Sequence, residues 1–404
     1  MIYLQRVKRN GKIDLFVLCE FVLCFIIVLS TLLIRINIAS TAFTVSFLAL
    51  VVAAFFKSTS KEKVDFLGLT ISIIVFSFLC VIASTIMLGE SFTFEYLKNY
   101  FIFVSTVLLM LIWSDTSANA STVNFVLKFN ILIALLYPIA YKSFPQINQF
   151  NSLSLNFSNP NLTGMWILQS VLYSILGFLL LKKWIWRLLC VFAAIYNIYL
   201  MNLTEARNCI IALTLFVGLI IWLNIKRICK MPKWIIFIIN IIPICFIPLY
   251  LNLIYKIMDK GWLSFFESDG KSLTSRVNIW NERFDLIKGY WLTGAYPTAG
   301  GNAHNSHLTV LASYGVIVLL LVIAFTYLIS VKLNNNCSSK KQAYALAAFF
   351  SALFMGFGEG ALFSGGQGIY IMVCGFLLLA NAEYPDDIFK INKLTEGTDD
   401  KDGL

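Results

Sequence analysis

Apolar runs about as long as a bilayer is thick recur along the whole chain, and short polar segments separate them. A helix needs about 20 mostly apolar residues to cross the hydrocarbon core. The pattern predicts twelve spanning helices, at residues 13–34, 38–56, 64–88, 99–113, 123–141, 165–181, 187–201, 208–225, 234–256, 308–331, 343–360 and 365–381. Because the seventh run is short and only a Gly-rich break divides the last two, ten or eleven crossings are alternatives. We therefore expect an all-α, polytopic membrane protein.

One long polar stretch, residues 257–307, interrupts this pattern between the ninth and tenth runs. Inside it, four large apolar residues recur at helical spacing among charged ones, which predicts an amphipathic helix over 274–288; they are Val277, Trp280, Phe284 and Ile287. A turn-rich run follows and ends in His304-Asn305-Ser306-His307. A long loop that is not of low complexity is usually functional, so we expect the site here.

Composition and charge fix the environment and the orientation. Hydrophobic residues make up 59% of the 404 residues and charged residues only 13%, against about 25% charged in soluble domains. Lys and Arg collect in cytoplasmic loops of membrane proteins, and with a cytoplasmic N-terminus the inside segments hold seventeen of them against four in the short outside loops. The net charge of +10 thus needs no nucleic-acid partner, and membrane lipid is the expected surrounding.

This orientation divides the chain into four parts. Helices one to nine occupy residues 1–256, a periplasmic loop spans 257–307, helices ten to twelve follow within 308–381, and 382–404 form a cytoplasmic tail. Both termini are predicted to be inside.

The only two histidines, His304 and His307, lie where the long loop re-enters the membrane. Zinc usually takes at least three protein ligands, so two histidines without a nearby Cys or carboxylate predict no metal site. A single His acting as a general base is the better hypothesis, since imidazole titrates near neutral pH. The alternative is that both are interfacial polar residues without chemistry.

Three arginines are predicted on the same side as His304. Arg207 lies in a short turn between two apolar runs, and Arg276 and Arg283 are seven residues apart on the amphipathic helix. Guanidinium groups bind phosphate oxygens in pairs, so the three are candidate ligands for a diphosphate. The alternatives are an ion pair of Arg207 with Glu205, and contacts of the helix with anionic headgroups.

Charged residues inside the predicted spans are few: Glu20, Lys128 and Glu359. Ion-coupled transporters place acidic groups near the midplane. A transporter or flippase of lipid-linked sugar therefore stays an alternative.

The order of these motifs resembles the bacterial O-antigen ligase and O-antigen polymerase superfamily, chiefly over residues 200–330. The resemblance rests on Leu203-Thr-Glu-Ala-Arg207, Ser275-Arg276-x-x-x-Trp280, Gly-Gly-x-x-His304-Asn305-x-x-Leu308, Gly315 in the next helix and Asn159-Pro160-Asn161. Many members have Ser/Thr-Arg-Gly or Ser/Thr-Arg-Ala at the first arginine, where this chain has Ala206-Arg207-Asn208.

The resemblance implies a glycosyltransferase of the inner membrane that needs neither metal nor other cofactor. Its donor would be an oligosaccharide on undecaprenyl diphosphate at the periplasmic face, with a flippase and a chain-length regulator as candidate partners. Arg207 and Arg276 would bind the diphosphate, His304 would activate the acceptor hydroxyl and Asn305 would orient it. Arg283 and Trp280 are added as substrate contacts. The acceptor is a second lipid-linked repeat unit in a polymerase, which we favour, and the lipid A core in a ligase.

Overall fold

The computed structural model describes residues 13–35, 39–59, 65–144, 152–157, 159–259, 274–299, 303–359, 362–363 and 369–384. Regular structure in these residues is helical. The helices are α1 (Leu15–Leu29, continued as a π-helix over Ser30–Ile34), α2 (Ala39–Thr59), α3 (Leu67–Met87), α4 (Phe94–Asp115), α5 (Ala120–Ser143), α6 (Pro160–Leu180), α7 (Trp184–Leu203), α8 (Arg207–Ile225), α9 (Lys233–Asp259), α10 (Thr274–Lys288), α11 (Tyr296–Ala299), α12 (Ser306–Asn336), α13 (Lys340–Met355) and α14 (Ile369–Ala380).

Nine helices of the described part are long and apolar enough to cross a membrane. They are α1 with its π-helical end, α3, α4, α5, α6, α7, α8, α9 and α12. A shorter apolar run, Thr44–Phe56, lies in α2, and α13 and α14 have 16 and 12 residues. The predicted all-helical, multi-pass character is thus confirmed.

The predicted eleventh span, 343–360, is too long at its C-terminal end. In the structure α13 stops at Met355, and a turn over 356–358 follows, which places Glu359 outside the helix. Two glycines, Gly356 and Gly358, lie in this turn. Glycine favours the ends of helices, so these two residues explain why the helix ends before the predicted boundary at 360.

Contacts between helix ends sort these ends into two groups. At one end, which we call the basic end, Lys332 contacts Asp65 (2.9 Å) and Asp115, and Met231 N donates to Asn334 (2.7 Å). At the other, the loop end, Tyr296 donates to the carbonyl of Tyr96 (2.6 Å). Other loop-end contacts join Asn156 to Thr31 and Leu153 to Leu203. The lysine-rich segments around 182, 226 and 340 all fall at the basic end.

The outer surface of the bundle is apolar. Large side chains such as Ile86, Trp184 and Ile225 are 74%, 70% and 72% exposed. Soluble monomers rarely expose contiguous apolar surface on this scale, whereas in a bilayer these side chains face lipid.

The helix that follows the long loop, α12, is interrupted at Gly315. This residue has φ +77° and ψ 179° inside α12, and a Cβ there would collide with the carbonyl of Leu292. The segment 291–295 lies directly against the break, since Ala295 N donates to Ala312 O (2.8 Å) and Val316 N to Trp291 O (2.9 Å). The break therefore anchors the loop to the bundle just before the site.

We predict that Gly315→Ala lowers the unfolding temperature. Non-glycine residues are strained at this φ/ψ, at a cost of about 1–3 kcal/mol, and the new methyl group would also push the loop away. Gly218→Ala is the matched control, because Gly218 lies in α8 with open space around its Cβ position. Tryptophan fluorescence of purified protein in detergent would measure both, and equal unfolding temperatures would contradict the anchoring role.

Candidate functional site at the loop end

His304 lies immediately before α12 with its ring partly open to the surroundings. Its backbone is left-handed, with φ +50°, a conformation uncommon outside glycine. The side chain is 28% exposed. Histidine adopts this conformation more readily than most residues, so the turn presents the ring without by itself marking a function.

The imidazole of His304 contacts a nearly buried carboxylate. Its Nδ1 lies 2.9 Å from Oε2 of Glu359, whose side chain is 3% exposed. Ser306 fixes the turn that carries Glu359, because its N–H donates to Gly356 O (2.8 Å) and its hydroxyl to Glu359 O (3.1 Å). The pair was not predicted, since 55 residues separate its members and Glu359 was assigned to the end of a helix.

Asn305 joins three helices at the start of α12. It is fully buried and caps the helix, its Oδ1 accepting from Leu308 N at 2.8 Å. Its amide donates to Pro243 O of α9 (2.5 Å) and to Phe357 O after α13 (2.9 Å). The structure therefore uses this side chain to hold the backbone beside His304, and its predicted contact with substrate stays a prediction.

Trp280 supports the other side of His304. The predicted helix is present as α10, and three of the four residues of its apolar face, Val277, Trp280 and Ile287, are buried, while Phe284 is half-buried. The indole Nε1 of Trp280 donates to Ala303 O (2.9 Å), and the ring packs against Tyr250. Hydrogen bonds thus hold both neighbours of His304 in place: Trp280 bonds to Ala303, and Asn305 bonds through its own side chain.

Arg207 lies near this pair at the same end of the bundle. It is the exposed first residue of α8, and the next residue, Asn208, contacts Gly358, the neighbour of Glu359. Glu205, considered above as a partner of Arg207, accepts a hydrogen bond from Ser152 (3.0 Å). Within the described residues no hydrogen bond or ion pair engages the Arg207 guanidinium.

Of the two arginines of α10, Arg283 has a described side chain. Arg283 is half-buried, and its Nη1 donates to Thr298 O of α11 at 3.1 Å, so it ties α10 to the following loop. Arg276 belongs to the first turn of α10, but its side chain lies outside the described residues.

His307 is separated from the pair by burial. It lies in the first turn of α12 and is 1% exposed, so its ring is enclosed by protein, whereas that of His304 is partly open. Among the described residues, no three potential ligands of the His, Cys, Asp and Glu type come together.

The His304–Glu359 geometry suits proton acceptance. A carboxylate only accepts hydrogen bonds, so with Glu359 as the acceptor the ring proton would lie on Nδ1 and the lone pair of Nε2 would be left for a substrate proton. In comparisons with known proteins, the chain matches no family model and no curated protein.

Proposed function

We propose that this protein is an O-antigen polymerase: a metal-independent glycosyltransferase of the bacterial inner membrane. It would transfer a glycan from undecaprenyl diphosphate to a hydroxyl of a second lipid-linked repeat unit at the periplasmic face. The observation that carries the proposal is the contact between the partly exposed imidazole of His304 and the buried carboxylate of Glu359, at the same end of the bundle as Arg207.

In the proposed reaction His304 is the catalytic base. Its Nε2 takes the proton of the acceptor hydroxyl while that oxygen bonds to the anomeric carbon of the donor sugar. The bond from this carbon to the diphosphate oxygen breaks, and undecaprenyl diphosphate leaves with the electron pair. Glu359 is a positioning residue that keeps the Nδ1 proton in place and stabilises the imidazolium.

Arg207 and Arg276 are proposed to neutralise the leaving diphosphate. Arg207 suits this role because it is exposed, stands at the first turn of a helix and is close to the His304–Glu359 pair through Asn208. Cations arranged where charge develops lower the barrier of group transfer. Asn305, Trp280 and Arg283 would act through the position of His304 and of the loop.

The proposed sidedness follows from charge. The basic end carries the lysine-rich segments and would face the cytoplasm, and the loop end with residues 257–307 would face the periplasm. Twelve crossings with both termini inside satisfy this arrangement.

A transporter of lipid-linked sugar is the second candidate, because Glu20 is fully buried between helices. Its Oε2 accepts from Ser46 (2.7 Å), whose hydroxyl lies 3.2 Å from that of Tyr370. Buried acidic groups of this kind mark ion pathways. Polymer formation by purified protein in liposomes without an ion gradient would distinguish the polymerase from a transporter.

The topology predicts the behaviour of reporter fusions. A phosphatase that is active only in the periplasm should be active when fused after residue 285 and inactive when fused after residue 228. The reverse pattern would place His304 and Arg207 in the cytoplasm and exclude a periplasmic donor.

His304→Asn should reduce glycan transfer about 10²–10⁴-fold, the usual contribution of a placed base. Asn tolerates left-handed backbone, so this variant removes the base without adding backbone strain. Liposomes with lipid-linked repeat units would measure transfer, and donor binding should persist.

In cells lacking the chromosomal gene, His304→Asn should leave lipopolysaccharide with single repeat units. Bare core with accumulated lipid-linked polymer would instead indicate a ligase. A full ladder from His304→Asn would overturn the mechanism.

Glu359→Gln should lower kcat about ten- to a hundredfold with little change in KM, since it keeps a hydrogen-bonding group but removes the charge that stabilises the imidazolium. The control is Glu90→Gln, an exposed carboxylate at the loop end. A rise in KM alone, or equal effects of the two variants, would contradict the positioning role.

Arg207→Lys should lower kcat/KM about tenfold although the charge is kept, because lysine lacks the planar fork that binds two phosphate oxygens. Arg227→Lys is the matched control, since Arg227 is exposed just beyond the opposite end of α8. If both variants transfer glycan at the wild-type rate, Arg207 does not bind the diphosphate.

A further inference from the structure

At the basic end, a cavity of about 310 Å³ opens among the ends of α5, α6, α7 and α13. Among the described residues, four lysines and one carboxylate line it; the lysines are Lys128, Lys182, Lys183 and Lys341, and the carboxylate is Glu383. This excess of positive charge suits an anion.

Lys128 reaches this cavity from within a spanning helix. It lies in the third turn of α5 and is half-buried, and its Nζ stands 5.3 Å from the ring centre of Trp186. Charged residues within spanning helices are costly and usually functional. On the other side of the cavity, the Nζ of Lys341 lies 5.4 Å from the ring centre of Tyr384. Aromatic faces hold both ammonium groups in place.

The turn between α6 and α7 brings two of the lysines, Lys182 and Lys183, to the cavity wall. Arg187 Nε donates to Leu181 O in the same turn at 2.7 Å, which holds the backbone that carries them.

The surroundings indicate a lipid rather than a soluble anion. The cavity is also lined by Val123, Leu180 and Leu181. Close by, Trp184 and Ile185 are exposed on the lipid-facing surface of α7. A headgroup phosphate at the lysines would leave its acyl chains against this apolar surface, and tryptophan is typical of the headgroup level.

We infer that this cavity is a binding site for the phosphodiester of an anionic phospholipid, separate from the site at His304. Lys128 and Lys183 would contact the phosphate. Basic pockets between helices at the cytoplasmic side are known to bind anionic headgroups in this way. The inference does not depend on the proposed glycan transfer.

Native mass spectrometry of the purified full-length protein would test the site, with phosphatidylglycerol or phosphatidylcholine titrated into the micelles. We expect one phosphatidylglycerol to bind more tightly than later ones and phosphatidylcholine to show no such first site. Lys128→Gln should weaken the first binding step about fivefold, and Lys128→Gln with Lys183→Gln about 25-fold, since each lysine contributes about 1 kcal/mol.

Lys142→Gln is the matched control, because it removes the same charge from the exposed, opposite end of α5. It should leave the first binding step unchanged. Equal affinities of wild type, Lys128→Gln and the double variant would overturn the inference. Displacement of phosphatidylglycerol by millimolar inorganic phosphate would show a site for soluble phosphate and overturn it as well.

Discussion

The side-chain amide of Asn305 holds together the helices that meet at the loop end. It caps α12 and at the same time bonds to carbonyls of α9 and of the turn after α13. In a bilayer, where little water is at hand, buried backbone groups must find partners inside the protein. Because the amide nitrogen of this side chain bonds to α9 and to the turn after α13, these elements cannot separate from α12 without leaving that amide unpaired. This constraint fixes the start of α12 and hence the position of the neighbouring His304.

The hydrogen bonds of Asn305 and of its neighbours also position His304. Asn305 bonds to Phe357 O, and Ser306 bonds to Gly356 and Glu359, so the turn that presents the carboxylate is tied to the residues that present the imidazole. Trp280 holds Ala303 from the loop side. The left-handed backbone of His304 is thereby maintained by hydrogen bonds on both neighbours.

The sequence predicted the helices well and the site only in part. Apolar runs of about 20 residues are a strong signal because lipid excludes other structures, and α10 was predicted over its full length from four apolar residues. The break at Gly315 was missed, since its cause is the backbone at 292, which is distant in sequence. Glu359 was seen as an isolated intramembrane acid, because nothing local shows that it pairs with His304. For Asn305 the resemblance implied a substrate contact, which stays a prediction, and its hydrogen bonds to Pro243 O and Phe357 O could not be read from the sequence.

The three candidate residues at the loop end, His304, Glu359 and Arg207, differ in how far their side chains are exposed. Proton acceptance needs a group that a substrate can reach, and His304 is partly exposed, whereas the group that stabilises its charged form works best away from water, and Glu359 is almost fully buried. Phosphate neutralisation needs a cation on the surface, and Arg207 is exposed. The gradient from buried carboxylate through partly exposed imidazole to exposed guanidinium fits the transfer that we propose, from a charged lipid donor to a hydroxyl.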